Sequence, residues 1–332
     1  MSRQGGLETK QGACGGAVKD GLLLVYKPGG MTSKDVSRWF QSRFGKCKIG
    51  HVGTLDPLAE GLLPILLGKA TRLQDFLLAG QKRYEFEITF GYSTTTLDTD
   101  GELVDHASYA EVSKESLEIV CSQMVGDFLQ IPPMYSAIKF EGRPLYDYAR
   151  KGQADKVPLE SLKKLVKIFE LTCLNYDQGK GRFQVLCSKG TYVRVLASTI
   201  AETLGTLGTI SRLIRLASGS FESKGAWTLN ELELNKDSID QYIIPTNEIP
   251  YDIPVWRASE PALVDRLKMG QEMHVDMRSF ESGLDQAGSQ RAKISSLDRM
   301  ILFDNNGQSF GIGSATILNT GRIAVRMRRG LS

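Results

Sequence analysis

The chain has 332 residues, of which 41% are hydrophobic and 24% are charged, a composition that excludes a largely disordered protein. Its net charge is only +3, from 41 Lys and Arg against 38 Asp and Glu, so the overall charge does not identify a partner. No apolar run reaches the roughly 20 residues that cross a bilayer, and residues 1–20 lack the apolar core of a signal peptide. We therefore expect a cytoplasmic protein with no membrane partner.

The predicted elements begin after a polar, glycine-rich stretch, residues 1–19, that we expect to form a flexible tail. Residues 22–25 are a short apolar run that predicts a buried strand. Thr32 and Asp35 have the spacing of a capping box, and the apolar residues after them recur at helical intervals. These signals predict a helix over residues 33–44, which starts close to the end of the preceding strand.

Glycines and a proline interrupt residues 50–61, and they predict a long shaped loop rather than a regular helix or strand. Asp56 lies in this loop before Pro57, where its carboxylate either points at a ligand or only caps the turn. His51, in the same loop, is either a donor to a ligand or a turn residue. The composition of the loop does not decide between these roles.

Regular elements return after this loop. Residues 83–90 alternate between apolar and polar side chains, as in a half-buried strand, with Tyr84 at the end of the apolar face. The other predicted elements are a strand over 65–67, a helix over 70–78, a helix over 112–124, a hairpin across 141–142 that leads into a short helix, a strand over 183–188 and a helix over 194–204.

Tyr192 and Arg194 are two residues apart in a segment that we expect to be extended, so that their side chains share one face. In that position Arg194 could hold a buried carboxylate in its ionised form. The alternative is a surface arginine beside a half-buried tyrosine, and these residues by themselves leave both possibilities open.

The order of strands and helices lacks regular βαβ spacing, and it predicts an α+β fold with a mixed, largely antiparallel central sheet. Three prolines within residues 245–254 predict a linker. Short apolar strands separated by glycines follow it, a pattern typical of a small β-barrel. We therefore expect a tail over residues 1–19, one domain over 20–247 and a second domain over 253–332.

The five Cys and three His are scattered along the chain, so we predict neither a disulfide framework nor a metal site. Positive charge is concentrated in residues 27–48, which hold six basic residues and one acid, and in the arginines of the C-terminal segment. Two basic segments suit a polyanion that is held at two places, although two solvated faces explain them equally well.

Several motifs follow one another in order from residue 21 to about residue 216. They are GLLLVYKPGGMTS at 21–33, GHVGTLDPLAEGLLP at 50–64, KRY at 82–84, PMYSA at 133–137, KGTYVR at 189–194 and the neighbourhood of Leu213 and Arg215. Together they resemble the TruB family of tRNA pseudouridine synthases, and the GTLDP run is the most specific of them. One departure is Tyr26, where the family usually has Asp. Residues 267–271 and 311–315 resemble the PUA-like RNA-binding barrel that ends many members.

The resemblance implies the pseudouridine-synthase fold with a C-terminal PUA-like β-barrel, and an isomerase that needs neither a cofactor nor a metal. It implies three catalytic residues. Asp56 is the carboxylate that acts at the sugar, and Tyr84 stacks on the flipped uracil. Arg194 pairs with Asp56, lowering its pKa and fixing its rotamer.

Four further residues acquire binding roles from the same resemblance. Tyr192 and Leu213 match residues that line the uracil pocket. His51 matches a residue that contacts RNA and fills the space left by the flipped base, and Lys27 matches one that supports the loops of the active site.

The implied substrate is uridine 55 in the T-arm stem-loop of tRNA, recognised through its shape and backbone. Residues 133–137 and the hairpin at 141–142 resemble the stand-alone bacterial type, so we expect a monomer that uses no guide RNA and no protein partner. Two other hypotheses stay open: a non-catalytic protein that binds or folds tRNA, and a nucleosidase that releases the free base.

Overall fold

The computed structural model describes residues 18–45, 47–78, 80–251, 253–276, 280–281 and 296–331. The expected N-terminal tail lies outside the described residues except for its last two positions, as do parts of the expected C-terminal domain. Among the described residues, no helix is both long enough and apolar enough to cross a membrane.

Twenty strands and seven α-helices form the described part of the chain. The strands are β1 (Gly21–Lys27), β2 (Ile49–His51), β3 (Glu60–Leu67), β4 (Lys82–Phe90), β5 (Tyr92–Thr94), β6 (Leu103–His106), β7 (Gly126–Gln130), β8 (Lys139–Phe140), β9 (Arg143–Pro144), β10 (Lys164–Asp177), β11 (Lys180–Cys187), β12 (Gly208–Ser218), β13 (Phe221–Glu222), β14 (Trp227–Thr228), β15 (Val255–Arg257), β16 (Met273–Val275), β17 (Phe280–Glu281), β18 (Ser296–Phe303), β19 (Ser309–Ile317) and β20 (Ile323–Gly330). The α-helices are α1 (Ser33–Phe44), α2 (Gln74–Leu77), α3 (Lys114–Gln123), α4 (Leu145–Arg150), α5 (Val193–Thr203), α6 (Leu229–Leu234) and α7 (Pro261–Lys268). Short 3₁₀-helices cover Gly68–Leu73, Ala154–Lys156, Leu159–Leu162, Ser223–Gly225, Lys236–Gln241 and Thr246–Glu248.

Ten strands form the central sheet, in the order β14-β1-β3-β12-β4-β11-β10-β7, with β2 beside β3 and β13 beside β12. The pairs β1/β14 and β3/β12 are parallel, and the other pairs in this sheet are antiparallel. This arrangement confirms the predicted α+β fold with a mixed, largely antiparallel sheet. Strands β12 and β4 are neighbours in the middle of the sheet.

Helix α1 covers the residues that the sequence predicts. The Thr32 hydroxyl accepts a hydrogen bond from the Asp35 backbone N–H at 3.1 Å, and the Asp35 carboxylate accepts one from the Thr32 N–H at 3.0 Å. These two bonds satisfy backbone donors that a helix start leaves unpaired. Val36 and Phe40, one turn apart, are buried in the main core.

Strand β4 has the half-buried alternation that the sequence predicts. Phe86, Ile88 and Phe90 are buried in the main apolar core, to which helices α3 and α5 contribute their apolar faces. Tyr84 lies on the same face but is only half-buried. The alternation therefore places an aromatic ring at the point where the covered face of the sheet opens to solvent.

The expected loop over residues 50–61 is wrong at both ends. His51 ends β2 and pairs with Ile65, and Glu60 already belongs to β3. Regular pairing with neighbouring strands overrides the turn-forming composition there, and only residues 52–59 remain irregular. The helix expected over residues 70–78 is instead a 3₁₀-helix followed by the single turn α2.

The extended segment expected at Tyr192 and Arg194 is also wrong. Tyr192 is the N-cap of α5, and Arg194 lies in the first turn of that helix. Strand alternation therefore does not relate the two side chains. The helix predicted over 194–204 is confirmed to within one residue at each end, since α5 covers Val193–Thr203. Its apolar residues Val193, Leu196 and Ala197 pack onto the sheet at helical spacing.

The C-terminal sheet has six strands, in the order β16-β20-β19-β18-β15-β17, and it curls as a half-barrel. Leu62 and Leu66 project from the face of β3 opposite the main core. They belong to one apolar cluster with Ile301 and Phe303 of β18. The two sheets therefore share a buried contact.

Candidate active site

Asp56 lies in the irregular segment 52–59. Its two neighbours in the chain are hydrogen-bonded, one to the start of α1 and the other to the turn that precedes α1. The Leu55 N–H donates to the Ser33 hydroxyl at 2.9 Å, and the Gly30 N–H donates to the Pro57 carbonyl at 2.9 Å. These bonds hold the backbone while the Asp56 side chain stays 36% exposed. The carboxylate is thus fixed in place and open to a ligand.

Arg194, which is only 3% exposed, places its guanidinium against Asp56. Its Nε lies 2.9 Å from Oδ2 of Asp56. Its two terminal nitrogens donate to the carbonyl oxygens of Thr96 at 2.6 Å and Tyr135 at 2.9 Å. Three chain segments therefore orient this guanidinium, which in turn sets the direction of the Asp56 carboxylate.

A second carboxylate, Asp98, shares Arg194. Its Oδ2 lies 3.6 Å from Nη1 of Arg194, and the residue is 3% exposed. Its other oxygen accepts hydrogen bonds from the Thr96 hydroxyl and from the Asp100 N–H. Asp98 was not predicted from the sequence. No local pattern distinguishes it from the other aspartates, and only its burial in the folded chain does so.

Burial raises the pKa of the Asp56 carboxyl above its ordinary value of 3.8. The positive charge of Arg194 opposes this shift, the negative charge of Asp98 adds to it, and the charge of Lys27 opposes it. Asp56 is therefore a carboxylate whose charged form depends on the buried arginine beside it.

Tyr84 and Leu213 lie on the two middle strands and face the same side of the sheet. Leu213 is opposite Phe86 in the antiparallel register, and Tyr84 is opposite Arg215. Burial raises the pKa of the Tyr84 hydroxyl, Arg215 lowers it, and the charge of Asp56 raises it further. Tyr84 thus interacts electrostatically with the candidate catalytic carboxylate.

Tyr192 stands at the start of α5, next to the Asp56 and Arg194 pair. Its N–H donates to Oε1 of Gln130 at 2.9 Å, and the Gln130 amide donates to the Gly190 carbonyl at 2.6 Å. Burial raises the pKa of its hydroxyl, which the charges of Asp56 and Arg194 also influence.

Lys27 is fully buried at the end of β1. Its ammonium donates to the carbonyl oxygens of Pro28 at 2.9 Å, Met31 at 2.6 Å and Pro57 at 3.2 Å. It therefore joins the turn after β1 to the residue that follows Asp56. Burial lowers its pKa from 10.5 to about 8, against the opposing effect of Asp56.

His51 lies apart from the other candidates. Its Nε2 is 3.3 Å from the Thr54 hydroxyl. Burial lowers the pKa of the imidazole, and the nearby charges that act on it are those of Arg215 and Lys34. The ring is therefore more easily neutral than a free histidine.

The structure thus places Arg194, Tyr84, Tyr192 and Lys27 within the electrostatic influence of Asp56. Leu213 faces the same side of the sheet as Tyr84. Among the described residues, no three or more His, Cys, Asp or Glu side chains gather in a metal-binding arrangement. Chemically, the site offers one oriented carboxylate, open to solvent, beside two aromatic rings. Such a carboxylate can act as a nucleophile or as a base toward a bound ring system.

Comparison with known sequences identifies relatives over most of the chain. The family model described as TruB family pseudouridylate synthase, N-terminal domain, matches residues 41–193. The tRNA pseudouridine synthase B of Geobacillus thermodenitrificans is 41% identical over 260 residues, which are 76% of this chain and 84% of that protein. The Bacillus subtilis protein of the same name is 36% identical over 301 residues, or 88% of this chain and 92% of that protein.

Solved structures share the fold at lower identity. A chain of a Cbf5-Nop10-Gar1 complex aligns with a TM-score of 0.69 and 22% identity, over 95% of this chain and 86% of that chain. A chain of the archaeal box H/ACA sRNP Nop10-Cbf5 complex aligns with a TM-score of 0.65 and 20% identity, over 95% and 87% of the two chains. These likenesses indicate a common architecture.

Proposed function

The chain belongs to the TruB family of pseudouridylate synthases, and on this premise we propose that it converts uridine 55 in the T-loop of tRNA to pseudouridine. The relatives are named tRNA pseudouridine synthase B, and their name supports the general activity of an isomerase that forms pseudouridine in tRNA. One observation carries the proposal: Asp56, 36% exposed, is paired with the buried Arg194, and its charge raises the pKa of the nearby Tyr84 hydroxyl.

The chemistry asks for one carboxylate beside the sugar. The bond between N1 and C1′ breaks, the uracil turns, C5 bonds to C1′, and the proton on C5 leaves. We assign the carboxylate role to Asp56, which either bonds to C1′ or takes the proton from C2′. Either role needs the ionised form, and its ion pair with Arg194 favours that form.

The target base must leave the stacked loop before it reaches Asp56. Tyr84 offers a half-buried ring on which the flipped uracil can stack, at about 1–3 kcal/mol per base. We assign the sides of the uracil pocket to Tyr192 and Leu213. We assign His51, which does not contact Asp56, to the space in the T-loop that the flipped base vacates.

We assign catalysis to residues 20–247 and RNA contact to residues 253–332, in a cytoplasmic monomer that uses no guide RNA. The exposed basic residues of segment 27–48, which are Lys34, Arg38, Arg43 and Lys48, and the arginines of β20 support recognition of the tRNA backbone at two places. Arg329 of β20 and Arg322, just before the start of β20, are both exposed.

The test is tritium release from an unmodified T-arm stem-loop labelled at C5 of the target uridine. Wild-type protein should release one tritium per stem-loop and convert the uridine to pseudouridine. Asp56→Asn keeps the size of the side chain but removes its charge, so it should bind the stem-loop and release no tritium. Asp127→Asn, at an exposed position of β7, is the matched control and should behave as wild type.

Three results would contradict the proposal. Tight binding by wild type without tritium release would indicate a protein that only binds or folds tRNA. Free uracil without tritium release would indicate a nucleosidase. Release by Asp56→Asn at the wild-type rate would remove Asp56 from the chemistry.

A further inference from the structure

Arg215 is a buried cation that the reaction as described does not use. It is 1% exposed, and it lies on β12 in the middle of the central sheet. Antiparallel pairing places it opposite Tyr84 of β4, and parallel pairing places it opposite Gly61 of β3. It therefore sits between the strand that carries the aromatic ring and the strand that follows the Asp56 segment.

The guanidinium of Arg215 donates in three directions. Its Nε donates to the carbonyl oxygen of Leu62 at 2.7 Å, and its Nη2 donates to the carbonyl oxygen of Gly53 at 2.9 Å. Its third neighbour is Tyr84, which lies opposite it on β4 and whose hydroxyl has its pKa lowered by the charge of Arg215 and by hydrogen bonding to it. The contacts with Gly53 and Leu62 lie on either side of Asp56 along the chain.

Two glycines make this close approach possible. Gly53 has a φ of +81°, and a Cβ there would lie 3.1 Å from Nη1 of Arg215. Gly61 has a φ of +97°, and a Cβ there would lie 2.9 Å from the backbone nitrogen of Arg215. The segment that carries Asp56 is thus pinned near both ends to one arginine.

The position is costly for a cation. Burial lowers the pKa of Arg215 below its ordinary value of 12.5, and no carboxylate among the described residues forms an ion pair with it. An apolar side chain would avoid this cost. An apolar side chain, however, could not bind two backbone carbonyls and a phenol hydroxyl in one fixed geometry.

We propose that Arg215 is a positioning residue that holds the Tyr84 hydroxyl and the Asp56 segment in one fixed relation to the same uridine. The proposal rests on the pseudouridine synthase function proposed above. Arg215 does not touch the substrate in this account. It acts through Tyr84 on one side and through Gly53 and Leu62 on the other.

A lysine at position 215 could not make the same set of contacts. The planar guanidinium has five donors in a rigid fork, whereas an ammonium is a single point charge on a flexible stem. Arg215→Lys keeps the charge but breaks the link between the three acceptors. We expect kcat for the T-arm stem-loop to fall by about 10²-fold, the effect of a small misplacement of reacting groups. KM should change little, because no contact with RNA is lost.

The experiment compares steady-state kcat and KM for the stem-loop in wild type, Arg215→Lys and the control Arg212→Lys. Arg212 lies on the same strand but is exposed, so its variant should keep wild-type kcat and KM. Tyr84→Phe and the double variant Arg215→Lys/Tyr84→Phe complete a double-mutant cycle. If Arg215 acts through the hydroxyl, the double variant should be little slower than the slower single variant.

The outcomes separate this inference from the proposed function. No conversion by wild type would overturn the function and this role with it. Normal kcat in Arg215→Lys, or fully additive losses in the cycle, would overturn the positioning role while leaving the function intact. If Arg215→Lys does not fold, Arg215→Gln, which keeps a planar amide donor without the charge, takes its place in the same cycle. Circular dichroism and binding of the stem-loop verify that each variant is folded.

Discussion

Arg194 lies close to two carboxylates, Asp56 and Asp98, and both of these neighbours of Asp56 influence its pKa. Its Nε lies 2.9 Å from Asp56, whereas Nη1 lies 3.6 Å from Asp98. Burial raises the pKa of Asp56, and Arg194 is the largest opposing influence. Since only the ionised carboxylate can act on the sugar, the acid limb of the pH–rate profile should lie above the 3.8 of an ordinary aspartate.

Replacing Arg194 by Ala should lower kcat more than binding, by about two orders of magnitude if the carboxylate loses its orientation. Without the guanidinium the pKa of Asp56 rises further, so its acid limb should move to higher pH. The ratio of wild-type to variant kcat should therefore be largest at low pH and shrink as the pH rises. Single-turnover rates across the pH range measure both effects.

The control for this prediction is Arg182→Ala, at an exposed position of β11. Its rates and its acid limb should match those of wild type. If Arg194→Ala kept the wild-type kcat, or lost activity equally at every pH, the electrostatic role of Arg194 toward Asp56 would be wrong.

At the scale of elements, the Asp56 segment is held by its neighbours rather than by its own turns. Ser33 at the start of α1 bonds the backbone of Leu55, and Lys27 at the end of β1 bonds the carbonyl of Pro57. β3 then begins next to β12, so that Gly61 and Arg215 face each other. The position of one carboxylate thus depends on four different elements.

Gly61→Ala tests how strictly this junction is packed. A Cβ at Gly61 would lie 2.9 Å from the backbone nitrogen of Arg215, and the residue has a φ of +97°. Gly205→Ala is the matched control, because Gly205 also has a positive φ (+70°) but nothing lies within 4 Å of its Cβ position. We expect the control to lose about 1–2 kcal/mol from the unfavourable backbone alone, and Gly61→Ala to lose clearly more.

Calorimetric or denaturant unfolding of the two variants measures this difference. Equal losses of unfolding free energy would mean that the β3–β12 junction relaxes around a methyl group. In that case the close approach of the two strands would not be what keeps the Asp56 segment in place.

At the scale of the whole molecule, the central and C-terminal sheets are joined through apolar side chains. Leu62 and Leu66 of the central sheet share a cluster with Ile301 and Phe303 of the C-terminal sheet. The opposite face of β3 contributes Leu63 and Ile65 to the main core. One strand therefore connects the candidate active site to the sheet that we assign to RNA contact.

If that assignment is right, neutralising Arg322 and Arg329 together should weaken binding of full-length tRNA more than binding of the isolated T-arm stem-loop. Each phosphate contact that is lost should reduce the slope of log affinity against log salt by about 1. Filter binding or fluorescence titration at several salt concentrations, with both RNAs, measures the effect. The stem-loop is the internal control.

An equal loss of affinity for the two RNAs would mean that these arginines contact the T-arm itself. No loss for either RNA would mean that the C-terminal sheet contributes no charge to binding. Conversion of the stem-loop should stay at the wild-type rate in this variant, because both arginines lie far along the chain from Asp56 and outside its sheet.

Local sequence patterns correctly predict the features that depend on near neighbours in the chain. The capping box at Thr32 and Asp35 marked the start of α1, and the alternation along residues 83–90 marked both the strand and the face of Tyr84. The irregular spacing of strands and helices indicated the α+β class. Asp56 was singled out by its glycine- and proline-framed segment, but its role came from the resemblance of the motifs, since composition left a simple turn cap open.

Contacts between residues that are distant in the chain could not be predicted, because they depend on how the whole chain folds. Asp98 was not selected from the sequence, and Arg215 was named only within a motif, without a role of its own. The ion-pair partner of Asp98 lies on α5, and Arg215 bonds to Gly53 of the Asp56 segment and to Leu62 of β3, so only the folded chain brings these groups together. The extended segment expected at Tyr192 and Arg194 was wrong for a related reason, because packing of α5 on the sheet places Arg194 inside the helix. Local sequence specifies short-range hydrogen bonds and alternation, whereas the desolvation of a charge and the groups that compensate it depend on how the whole chain folds.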